Sequence, residues 1–116
     1  MKELIWIGNS LRRLREFPDV ARQIAGRQLR HIQEGKEPVD WRAMSSIGAG
    51  VKEIRIHRPN EYRVIYVSQF PEAIFILHAF EKKTQQTAKH DIQVARLGYA
   101  EIETRRKELQ RQANEK

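Results

Sequence analysis

The chain has 116 residues, enough for one domain and too few for two separate cores. It has no cysteine, which excludes disulfides, zinc–thiolate sites and cysteine nucleophiles and ties it to no oxidising compartment. Lys and Arg number 22 against 15 Asp and Glu, and the resulting formal charge of +7 predicts attraction to nucleic acid or to an acidic protein.

The N-terminal "MKELIWIGNSLRRLREF" lacks an apolar signal core, and no run approaches the roughly 18 apolar residues of a membrane span. A cytoplasmic protein with no membrane partner is expected. "ELIWI", residues 3–7, is short, apolar and bounded by Gly8 and Asn9, as suits a buried first strand. Ser10 offers an N-cap to a helix carrying Leu11, Leu14 and Phe17, and Pro18 ends it. A second helix follows from Asp19, with Ala21, Ile24, Ala25, Gln28 and Ile32 at helical spacing and Gly35 as its C′ residue.

Residues 36–50 mix Pro, Ser and Gly with the apolar anchors Val39, Trp41, Met44 and Ile47, which reads as a packed connector with Trp41 plugging the core. Three strands are expected next, Val51 to His57, Tyr62 to Ser68 and Ala73 to Phe80, joined by turns at Pro59-Asn60 and Pro71. Thr87 can cap a last helix whose Ala88, Ile92, Ala95, Tyr99 and Ile102 form an apolar seam, weakened locally by Gly98. Beyond Thr104 the charged segment is expected to fray, so residues 1–103 form the single domain and 104–116 a tail. The order β-α-α-β-β-β-α predicts an α+β fold: a twisted antiparallel sheet, two N-terminal helices and a C-terminal helix, with helices on one sheet face and the other face open.

The functional question lies in "GVKEIRIHRPNEYRVIYV", residues 50–67, where arginines interrupt two strands. Alternation puts Lys52 with Ile54 and Ile56, Arg55 with Val51 and Glu53, and Arg63 with Ile65 and Val67, while His78 falls with Ile74, Ile76 and Phe80. One residue of slip reverses a strand's faces, so convergence of Arg55, Arg63 and His78 is an expectation about register. An arginine alone on such a strand is usually a solvated cross-strand partner of a glutamate, and Glu53 and Glu61 are available. Taken together, Lys52, Arg55, Arg58, Arg63, Lys82 and Lys83 beside Tyr62, Tyr66 and Phe80 suit an RNA strand, with guanidinium groups on phosphates and bases stacked on rings. The four histidines, at 31, 57, 78 and 90, show no metal-ligand spacing, and no glycine-rich phosphate loop or serine elbow is present.

"GVKEIRIHRPNEYRVIYV", followed by "AIFILHAFEKKTQQTAKHDIQVARLGYAEI", resembles the RelE/HigB-like toxins of bacterial type II toxin-antitoxin systems, in their phage-derived branch. The likeness runs from the first strand to about Glu103. It implies a RelE-like fold and a ribosome-dependent messenger RNA endonuclease that inhibits translation, in which a ribose 2′-hydroxyl attacks the adjacent phosphate without metal or cofactor. It implies Arg63 on the scissile phosphate, Arg55 and Lys52 as basic positions of the preceding strand, and Lys82 and Lys83 as the basic position before the last helix. His78 is the candidate acid or base by residue type. Implied partners are a helix-turn-helix antitoxin, the ribosome and messenger RNA. The chain departs from better-known members in offering no His or Tyr after Glu103, and the superfamily's ParE-like members instead poison DNA gyrase without cutting RNA, which is the alternative function. On the nuclease reading, Arg63→Ala abolishes growth inhibition and translation arrest and leaves the fold intact.

Overall fold

Two of the strands are apolar along nearly their whole length, and this decides the architecture. A strand with only one covered face alternates apolar and polar residues; one covered on both faces does not. The computed structural model describes residues 1–115. It contains β1 (Leu4–Trp6), α1 (Ser10–Arg15), α2 (Asp19–Gln33), β2 (Trp41–Ala43), β3 (Val51–Ile56), β4 (Tyr62–Val67), β5 (Ile74–Glu81) and α3 (Lys89–Asn114). All six residues of β4 are buried, as are all of β5 except Glu81.

The strands form one five-stranded sheet in the order β1-β5-β4-β3-β2. The β2-β3, β3-β4 and β4-β5 pairs are antiparallel, and β1 joins β5 in parallel, with Leu4 opposite Ile74 and Trp6 opposite Ile76. The α+β class, the two N-terminal helices and the C-terminal helix therefore stand as expected.

The open face does not. One core joins Leu14 of α1, Phe17 of the turn after it, and Ala21, Ala25, Leu29 and Ile32 of α2 to Ile54, Val64, Tyr66 and Ile76. A second core, on the opposite sheet face, joins Ala95 and Ile102 of α3 to Val51, Ile65, Val67, Phe75 and Leu77, with Met44 and Ile47 from the connector. Helices cover both faces because both faces of β4 and β5 are apolar and each must be removed from water.

Local chemistry explains the element ends. Gly35 takes φ +84° after α2, its amide bonding Ile32 O at 3.0 Å while the Lys36 amide bonds His31 O at 2.9 Å, the paired contacts of a left-handed helix stop. Ser10 was expected as a cap; its hydroxyl instead donates to Ile76 O at 3.0 Å and ties α1 to β5. Trp41 was expected to plug the core. It stands 36% exposed on the short edge strand β2, with the Lys52 ammonium 4.5 Å from its ring centroid, and Val39 is 81% exposed. Met44 and Ile47 take the core positions of that connector. Where fraying was expected after Thr104, α3 continues to Asn114; Arg106 secures it by pairing with Glu72 at 2.7 Å and lying 4.1 Å from the Phe70 ring centroid. Lys116, the end of that segment, lies outside the described residues.

At Gly98 α3 lies close against the sheet side: an added Cβ would sit 3.3 Å from Ile7 Cγ2 and 3.5 Å from Leu77 Cδ2. The residue that weakens the isolated helix thus lets it dock. Gly98→Val is expected to cost about 1–3 kcal/mol by overpacking, read as a lower urea midpoint with an unchanged slope.

Candidate functional site

The register sets the site. Arg55 pairs directly with Arg63, and Arg63 pairs on its other side with Phe80, so all three share the α3 face. The β4-β5 ladder shifts between Ile65 and Tyr66: Ile65 opposes His78, Tyr66 opposes Ile76, and Leu77 is left over. This bulge overturns the expected grouping of His78 with Ile74 and Ile76, because one extra residue rotates the rest of the strand. His78 consequently shares the face of Arg55 and Arg63. The shared face that their convergence requires is present, but Arg63 and His78 are buried on it rather than open to solvent.

What surrounds them was not expected. Two guanidinium groups directly opposite one another repel, and Arg63 is only 1% exposed, so its charge must be neutralised from within the protein. Glu53, equally buried, brings Oε1 to 3.6 Å from Arg63 Nε; Glu61 brings Oε1 to 3.0 Å from Nη2; and Nη1 donates to Tyr62 O at 2.9 Å. Arg55, half-buried, has Asp40 Oδ1 at 4.0 Å. The Nε atoms of both arginines are buried without a hydrogen-bond partner.

The same carboxylates hold His57 at the hairpin tip. Its Nδ1 lies 2.8 Å from Glu61 Oε1 and its Nε2 2.6 Å from Asp40 Oδ2. Hydrogen bonds to Asp40 and Glu61 raise its pKa above the ordinary value. Burial pushes the Glu61 carboxyl up, but hydrogen bonds from His57 and Arg63 outweigh it and hold the group below its usual range.

His78 is 3% exposed and stacks on Phe80, ring centroids 4.9 Å apart. Burial pushes its pKa down, against a hydrogen bond to Asp91 that raises it. In the neutral ring Nε2–H donates to Asp91 Oδ1 at 2.7 Å, which leaves Nδ1 as a buried acceptor with no partner. Asp91 lies in the first turn of α3, so this bond also fastens the helix start to β5.

The remaining candidates are distributed around this centre. Lys82 is half-buried, its amide bonding Glu61 O at 2.7 Å, and Lys83 is exposed. Lys83 lines a cavity of 390 Å³ with Arg13, Glu16, Phe17, Tyr62 and Glu81; neither Arg55 nor Arg63 reaches it. Arg58 is exposed in the hairpin turn. Lys52 is not brought to the arginines: it points to the α2 face and pairs with Glu37 at 2.9 Å. The rings expected to stack bases are core members, with Tyr62, Tyr66 and Phe80 at 3%, 1% and 2% exposure. Tyr62 packs on Phe17 at 4.9 Å between centroids, and burial drives the Tyr66 hydroxyl far above its ordinary pKa. The helices that close both faces are the reason.

Glu53 and Glu61 are visible in the sequence as partners, one on Arg55's alternation and one two residues before Arg63. Asp40 and Asp91 carry no such signal, since their approach depends on the path of irregular segments. Among the described residues no group of three or more His, Asp or Glu is placed to hold a metal ion, and no helix is long and apolar enough to cross a membrane.

Residues 12–99 match the family described as phage-derived protein Gp49-like. No curated protein matches the chain.

The histidines impose opposite pH dependences. A raised folded pKa means that the His57 contribution is complete below about 6.5, the unfolded value, and is lost as pH rises through the folded value. The depressed His78 contributes above about 6.5 and loses that contribution as pH falls through its folded value. Urea midpoints should therefore show a His57→Gln deficit that shrinks with rising pH. A deficit that grows with pH would contradict the clasp.

Proposed function

The chain belongs to the phage-derived Gp49-like family, and from that membership we propose that it is the toxin of a toxin-antitoxin pair, acting as a RelE/HigB-like messenger RNA endonuclease on the ribosome. The observation that carries the nuclease reading is the register pairing of Arg55 with Arg63, each with a buried Nε that makes no hydrogen bond. Two unsatisfied guanidinium donors side by side on rigid strands suit a phosphate, which accepts them at fixed geometry. Positive charge is what a pentacoordinate phosphorus with extra negative charge requires.

The chemistry assigned is attack of a ribose 2′-hydroxyl on the adjacent phosphorus, breaking the bond to the 5′-oxygen of the next nucleotide. The products are a 2′,3′-cyclic phosphate and a 5′-hydroxyl, and no metal is required. Arg63 and Arg55 stabilise the phosphoryl oxygens. His78, oriented by Asp91 and kept neutral by burial, has in Nδ1 an unpartnered acceptor for the 2′-hydroxyl proton, and the leaving 5′-oxygen takes its proton from solvent. Lys82, Lys83 and Arg58 hold the flanking backbone. An acidic segment of a helix-turn-helix antitoxin would neutralise the toxin by covering these cations.

A second reading, inhibition of DNA gyrase without nuclease activity, is favoured by one observation: Arg63 is sealed between carboxylates while α3 continues as helix to Asn114. The two separate on expression in bacteria, where RNA 5′ ends, translation and the DNA-damage response are followed together. The nuclease reading expects new 5′-hydroxyl ends and arrested translation, both reduced at least tenfold by Arg55→Gln. A DNA-damage response with unchanged RNA ends, lost on removing residues 104–116, supports the gyrase reading.

Arg63→Ala is the poorer probe, contrary to the expectation of an intact fold. It strands Glu53 in the core, and breaking a buried pair costs about 3–5 kcal/mol. Its urea midpoint should fall accordingly.

A further inference from the structure

The irregular connection between β5 and α3, residues 82–88, is fastened at both ends to the glutamates that hold Arg63. At one end the Lys82 amide donates to Glu61 O at 2.7 Å. At the other, the Thr87 hydroxyl donates to Glu53 Oε2 at 3.3 Å. Between these points residues 83–86 are exposed, and the Thr84 hydroxyl bonds Gln86 O within the segment itself. Little burial opposes its movement.

The grip of Glu53 on Arg63 is loose by contrast with its burial. Both side chains are 2% exposed, yet Oε1 stands 3.6 Å from Nε and Nε makes no hydrogen bond. In a dry site an ion pair offsets its desolvation only with good geometry and satisfied donors. A phosphate oxygen at the same guanidinium edge would supply the missing bond and two-pronged contact. Glu53 has the charge and place of such an oxyanion without its fit.

We propose that Glu53 is an internal occupant of the Arg63 site, latched in place by Thr87, and that a phosphate-bearing ligand displaces it as the 82–88 connection swings aside. This rests on the reading of Arg63 as a phosphate ligand. The resting protein is therefore self-inhibited, and its apparent affinity for phosphate is the intrinsic affinity scaled down to the fraction of molecules in which the latch is open. Releasing Thr87 from Glu53 raises that fraction without touching either charge.

The test uses inorganic pyrophosphate as the probe, titrated calorimetrically into the full chain. Thr87→Val is expected to tighten binding about tenfold, the equivalent of one hydrogen bond to a charged group, and to increase amide hydrogen exchange across residues 82–88. Glu53→Gln should move both readouts the same way, and Thr87→Val keeps the test open if that variant fails to fold. Equal or weaker pyrophosphate binding by Thr87→Val overturns the latch while leaving the phosphate site standing. Tightening that persists unchanged in a Thr87→Val, Arg63→Lys double variant places the anion elsewhere and overturns both.

Discussion

A full positive charge in the middle of the central strand is the constraint around which the rest is arranged. β4 is covered by α1 and α2 on one face and by α3 on the other, so Arg63 has no route to water. An isolated charge in such a place costs many kcal/mol, and the chain offsets it with carboxylates from the strand before and from the residue two positions earlier. Those carboxylates then acquire further duties. Glu61 shares His57 with Asp40 at the entry to β2, and Glu53 accepts from Thr87 at the entry to α3. One buried guanidinium thus links the edge strand, the hairpin tip and the last helix.

Such a network is an unusual use of stability. An apolar side chain at position 63 would remove the need for two buried or half-buried carboxylates, and replacing buried ion pairs by well-packed apolar residues is commonly neutral or favourable. A chain that keeps the charge accepts an electrostatic cost for which packing gives no reason, and costs of that kind collect at functional sites. The proposed phosphate chemistry supplies the missing reason. The same arrangement accounts for the neutral, Asp91-oriented His78 being placed on the face of the arginines by a bulge that regular alternation would not produce.

Much of this was legible in the sequence because periodicity reports local structure. The strands, the α2 face of Ala21, Ala25 and Ile32, the α3 seam and the Gly35 stop all follow from spacing and φ preference. The second covered face was legible too, in the absence of polar alternation along "YRVIYV" and "IFILHAF", but the arginine and histidine inside those runs invite an open, polar face instead. The side of His78 was not legible, since a bulge leaves no mark on a run of apolar residues. Nor was the exposure of Trp41, because a three-residue edge strand between turn residues has no period to detect. Asp40 and Asp91 reach the site through tertiary contacts of the connector before β2 and of the start of α3, which local spacing does not report.

The parallel seam between β1 and β5 carries a further implication, about timing. Leu4 pairs with Ile74, the Lys2 ammonium bonds the carbonyls of Ser68 and Phe70, and the Ser10 hydroxyl bonds Ile76 O. The sheet pairing of β1 therefore waits until β5 has been made, and pairings so distant in sequence form slowly. During synthesis the first strand waits, and the centre it helps to frame assembles only when β5 has left the exit tunnel. A nascent chain stalled before residue 76 would carry every arginine of the hairpin yet present no finished scaffold to hold them.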